Sequence, residues 1–95
     1  MAAVVGVVRW VLHLPGCHSL KAKRKIVVSL RDRLQTRHRV SAAETDHQDK
    51  WQMAEVCAVL VASDHSLAHK LMDRLNRQVD SEMRAHVVER EITWY

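Results

Sequence analysis

From Val4 to Leu14 the chain alternates, with Gly6, Val8, Trp10, Leu12 and Leu14 on one side and Val5, Val7, Arg9, Val11 and His13 on the other. A period of two predicts a strand with one apolar face, and Arg9 and His13 mark the second face as the wetter one. Pro15-Gly16 ends the strand, because proline lacks a backbone donor and glycine permits a sharp turn. After Ser19 the period lengthens to that of a helix. Leu20, Ile26, Val27, Leu30 and Leu34 gather on one side, Lys21 and Lys25 stand one turn apart on the other, and Arg24 and Arg31 flank the apolar stripe. Ser19 is expected to cap this helix, its hydroxyl accepting from an amide of the first turn.

Val40 to Asp46 reads as a second strand, polar enough for a sheet edge. His47 to Gln52 is a polar connection whose one large aromatic, Trp51, is expected to close an end of the core. Ala54 to Ala62 is apolar on both faces over much of its length, the mark of a central strand. Asp64 or Ser66 opens a second helix with Leu67, Leu71, Met72, Leu75 and Val79 inward. His86 to Trp94 alternates around Val88, Ile92 and Trp94 as a fourth strand. There is no repeat, low-complexity tract or linker. The order β-α-β-β-α-β over residues 1–95 predicts a single α+β domain, a ferredoxin-like sandwich with a four-stranded antiparallel sheet and two helices on one face. Strands one and three are then central, and Arg9, Val11 and His13 lie in the middle of the open face.

Ninety-five residues leave room for one domain, and an apolar fraction of 47% excludes wholesale disorder. The longest apolar run, Val56 to Ala62, is far short of a membrane span. No basic segment precedes a long apolar stretch at the N-terminus, so a cytoplasmic protein without a membrane partner is expected. Cys17 and Cys57 fit neither a redox pair nor a zinc pair in their spacing. Both thiols are expected free, Cys57 packing as a small hydrophobe.

A net charge of +4 is modest, so its placement matters more. Between Lys21 and Arg39 eight Lys or Arg face a single acid, Asp32, and the rest of the chain is net acidic. Such segregation points to a basic surface meeting an anionic partner. The plain alternative is a solvated helix whose lysine stems cover apolar edges.

Two stretches carry candidate chemistry. The first is the turn and helix start, with His18, Ser19, Lys21, Lys23, Arg24 and Lys25. Helix amides followed by this much positive charge suit the backbone phosphates of RNA, and Arg9 and His13 would extend the surface. The chain has no Phe and no aromatic motif of the kind that stacks bases on a sheet, so contact would rest on shape and phosphates. Arg33, Arg37 and His38 sit where the helix dipole favours cations and need no ligand. His13, Cys17 and His18 could meet a metal, but Pro15-Gly16 is expected to splay these side chains and leave the histidines solvated.

The second stretch holds Glu44, Asp46, His47, Gln48, Asp49, Trp51 and Gln52. Carboxylates flanking an imidazole suit acid-base work or a metal around Asp46, His47 and Asp49. No HExxH, CxxC or nucleophile-elbow pattern accompanies them, and Asp and Gln are common in turns because they satisfy turn backbones. A third reading is a protein-docking module: Val5, Val7 and Val11 on the open face, with strand two as a free edge, could hold a partner or a second copy.

The segments His13-Leu14-Pro15-Gly16, Ser19-Leu20-Lys21-Ala22-Lys23-Arg24 and Glu44 to Gln52 resemble the YlxP-like family of small bacterial proteins, a domain of unknown function. The resemblance runs over nearly the whole chain. It implies a ferredoxin-like fold and a genomic neighbourhood among transcription elongation, translation initiation and ribosome maturation factors, and it transfers no catalytic residues. Ala22 stands where relatives often carry a Glu that would complete a capping box. The expectation is a non-enzymatic RNA- or ribosome-associated factor with no cofactor, no metal and no small-molecule substrate, its oligomeric state open.

Overall fold

Six elements follow one another: β1 (Val4–His13), α1 (Leu20–His38), β2 (Ser41–Asp46), β3 (Met53–Ala62), α2 (His65–Asp80) and β4 (His86–Trp94). They are seen in a computed structural model that describes residues 3–95; Met1 and Ala2, which enter the N-terminal reading above, lie outside the described residues. The strands form one antiparallel sheet in the order β2-β3-β1-β4, and both helices pack on one face of it. This is the ferredoxin-like α+β arrangement expected, with β1 and β3 central. No helix is long and apolar enough to cross a membrane among the described residues.

β1 and β3 pair without a break from Val4↔Ala62 to His13↔Met53. Opposite residues share a face, so Val8, Trp10 and Leu12 lie beside Ala58, Val56 and Ala54 under the helices. Val27, Leu30 and Leu34 of α1 and Ala68, Met72, Leu75 and Val79 of α2 close the core. Trp10 is fully buried, and its indole N–H donates to Asn76 Oδ1 at 2.8 Å, which removes the cost of burying that donor.

Of the two caps expected for α2, Asp64 is the one used, its carboxylate accepting from the Leu67 amide at 2.8 Å. Two local expectations need correcting. Leu67 is exposed and Ala68 takes the inward position. In β4, Val88 and Ile92 are exposed while Val87 packs against the core. The register with β1 shifts between Val11 and Leu12, so the alternation of β4 breaks at the bulge. Beyond it, β4 is an edge strand that the helices cover poorly. Trp94 reaches the core by lying over Gly6, where a Cβ would come within 2.6 Å of the indole.

The first helix ends at Arg39 in the left-handed conformation, φ 53°, a position that glycine fills with least strain. Because His13 pairs with Met53, the β1–α1 turn and the β2–β3 hairpin leave the sheet at the same end. That register brings the two motif stretches together.

Candidate functional site

Gln52 joins the stretches. Its carbonyl accepts from the Leu14 amide at 2.9 Å, and its side-chain amide donates to the carbonyls of Cys17 at 3.1 Å and Pro15 at 3.4 Å. Cys17 is buried beneath the turn while His18 and Ser19 are exposed. The Ser19 hydroxyl accepts from the Ala22 amide at 3.0 Å, as expected of a cap. Ala22 itself packs against the core.

Lys23 overturns its place among the phosphate-binding residues. It is 0% exposed. Its ammonium donates to the carbonyls of His47 at 2.7 Å, Met53 at 3.2 Å and Gln48 at 3.4 Å, and lies 3.1 Å from Glu44 Oε2. That carboxylate oxygen sits outside hydrogen-bonding geometry, so it compensates the lysine's charge without accepting a proton from it. The placement follows from helical spacing: residues 23, 27, 30 and 34 form the buried stripe of α1. Glu44 turns inward for a matching reason, since it pairs with Val56 on the helix side of the sheet.

The rest of the hairpin serves this lysine. His47 adopts φ 60°, its amide donates to Asp46 Oδ1 at 2.7 Å, and its carbonyl accepts from both Lys23 and the Lys50 amide. Glu44, Asp46 and His47 therefore hold the turn and do not converge as an acid-base or metal set. Among the described residues no three His, Cys, Asp or Glu side chains are grouped to hold a metal ion.

Arg9 is also corrected. On the open face its guanidinium bonds Glu55 at 3.0 Å and Glu89, with Glu91 at 3.9 Å. Those hydrogen bonds, from Glu89 first and Glu55 second, hold it above its ordinary pKa. Three carboxylates around one guanidinium make this region acidic, so Arg9 does not extend a basic surface. Val11, between Glu55 and Glu89 in the register, is buried and presents no apolar area. Cys57 is half-buried with its sulfur 3.2 Å from the Thr45 hydroxyl.

What the end of the molecule displays is His18, Ser19, Lys21, Arg24 and Lys25. The last three line a shallow concavity around half-exposed Val28, and no ion pair of the described residues engages them. His13 is partly buried at the end of β1. Trp51 is not a lid on the core: it is 54% exposed and lines a second concavity with His18, Asp49, Lys50, Gln52 and Met53. Sequence reasoning also missed a basic groove between the helices, lined by Arg37, His38, Arg74 and Arg77. Its one signal is that Arg74 and Arg77 stand three residues apart on the outer side of α2.

Residues 5–92 match the family model of a protein of unknown function, DUF503. No curated protein matches the chain. Among solved structures, the de novo designed protein Foldit4 is similar at TM-score 0.55 and 14% identity, over 99% of this chain and 97% of that one. A mutant of SnoaB, a cofactor-independent oxygenase from Streptomyces nogalater, is similar at TM-score 0.50 and 11% identity, over 100% of this chain and 92% of that one. At such identities the likeness is one of fold alone.

Proposed function

The chain belongs to the DUF503 family of proteins of unknown function, and we propose that it is a non-enzymatic, cytoplasmic factor that binds RNA, with the ribosome as its setting. The contact is made by Lys21, Arg24 and Lys25 and by the turn carrying His18 and Ser19. The observation that supports this reading is the separation of charge between two faces. A phosphate backbone approaching the sheet meets Glu55, Glu89 and Glu91 around Arg9; approaching α1 it meets Lys21, Arg24 and Lys25, which no ion pair among the described residues engages. On the sheet Trp10 is buried and Trp94 faces the helices, while the exposed Tyr95 pairs with Val5 at the end of β1 remote from the start of α1. The finer resemblance to YlxP-like proteins, carried by the same two stretches, supports the ribosomal setting.

Cross-linked RNA recovered with the wild-type protein should include ribosomal RNA. Lys21→Glu combined with Lys25→Glu should lower that recovery at least ~10-fold, because each lost phosphate contact reverses to repulsion. Wild-type affinity should also fall with salt, at a log-log slope of about −0.7 per contact on single strands. Equal recovery by both proteins, or binding insensitive to salt, overturns the reading.

A specific observation favours a second reading, self-association through the sheet. Val61, 64% exposed, and Val59 lie beside Val5 and Val7 at the uncharged end of the open face. Sedimentation of the wild type should then show a dimer that Val61→Asp converts to a monomer; a wild type that is monomeric throughout ends this reading.

A further inference from the structure

We propose that the RNA bound at this end of the molecule is single-stranded and that Trp51 is its base-stacking platform, an assignment that rests on the RNA reading above and adds the class of substrate. Trp51 departs from what the fold does with its other indoles: Trp10 is fully buried and Trp94 lies over Gly6, whereas Trp51 stands more than half exposed. That exposure is built in. The hairpin on either side of it is anchored, on one flank by the Lys50 amide on the His47 carbonyl at 3.0 Å, on the other by Gln52 on the β1–α1 turn. Lys23 fixes His47, Gln48 and Met53 from below. An indole held in water on a rigid support is preorganised for a flat apolar partner.

The surroundings select the partner. His18 and Lys50 line the same concavity as Trp51, and Lys21 follows His18 on the first turn of α1. A nucleotide stacked on the indole can place its phosphates on these cations, the pairing of aromatic and cation that single-stranded nucleic acid sites use. Asp49 lines the concavity as well. Its carboxylate is an acceptor only and repels phosphate, so it faces the base and can accept from an amino group of adenine, cytosine or guanine. Bases inside a duplex are stacked on one another and cannot reach such a platform.

The test compares labelled 12-nucleotide single-stranded RNA with a 12-base-pair RNA duplex, binding read by anisotropy for wild type, Trp51→Ala, Trp51→Phe and the Lys21→Glu/Lys25→Glu pair. Single strands should bind the wild type more tightly than the duplex and quench its indole emission. Trp51→Ala should weaken single-strand binding about 10-fold or more and leave duplex binding unchanged, while Trp51→Phe restores most of the loss. Circular dichroism should be unaltered, since the replaced side chain lies mostly in solvent. If the lysine pair abolishes binding and Trp51→Ala does not change it, the RNA reading stands and this assignment falls. Preference for the duplex also overturns it, and a wild type that binds neither RNA removes both.

Discussion

Lys23→Met is expected to destabilise the protein by roughly 3–5 kcal/mol, the cost of removing one partner from a buried ion pair. The variant leaves the Glu44 carboxylate without its cation and the carbonyls of His47, Gln48 and Met53 without their shared donor. A methionine fills the volume but satisfies none of these acceptors. For a domain whose whole stability is about 5–15 kcal/mol, a loss of this size should lower Tm by roughly 15 °C or more. Urea unfolding of the single variants and of Lys23→Met/Glu44→Leu checks it. The double variant should recover part of the loss, because an apolar pair can replace a buried ion pair, though the three carbonyls still lack the lysine that they share. A single variant within about 1 kcal/mol of wild type would show that the lysine does not hold the hairpin to α1. If the hairpin presents Trp51 to RNA as proposed, the same substitution should weaken that binding without touching a surface cation.

The second large effect is acid sensitivity through Glu82. Its side chain is 5% exposed and accepts from Arg84 through the guanidinium at 2.7 and 3.0 Å and the amide at 3.1 Å, and from Arg33 of α1 at 2.8 Å. The Arg84 side-chain bonds are the main reason its carboxyl is lowered from 4.5 to about 2. The folded pKa lies below the unfolded one, so as pH falls the unfolded chain takes up the proton first. The stabilisation is therefore complete above about pH 5 and is lost as pH falls toward about 2. The shift corresponds to about 3 kcal/mol, reduced toward about 2 by the solvent around half-exposed Arg84. Thermal unfolding from pH 7 to pH ~2.5 should show the wild type losing Tm steeply below pH ~5, with Glu82→Gln starting lower and running flatter. Parallel curves would mean that Glu82 does not link α1 to the α2–β4 turn.

Several site residues were misread one at a time because their surroundings come from distant parts of the chain. The stripe that buries Val27, Leu30 and Leu34 passes through Lys23, and the alternation of β2 turns Glu44 to the same side. Each is an unlikely core residue alone; each becomes intelligible only against the other, 21 positions away. Arg9 read as a free cation because Glu55 and Glu89, its partners, are 46 and 80 positions distant. Trp51 read as core because large aromatics usually are, whereas its exposure depends on where the hairpin is tied down.

The sequence by itself determined the kind and order of the elements, the Ser19 cap and the central placement of β3. These follow from periodicity and capping, which are properties of neighbouring residues. Only the tertiary structure decided the inward faces of β4, the pairing of Lys23 and Arg9, and the convergence of the two motif stretches at one end. Those depend on strand register, a bulge between Val11 and Leu12 and salt bridges across the fold. Such contacts are set by the packed sheet and cannot be read from local spacing.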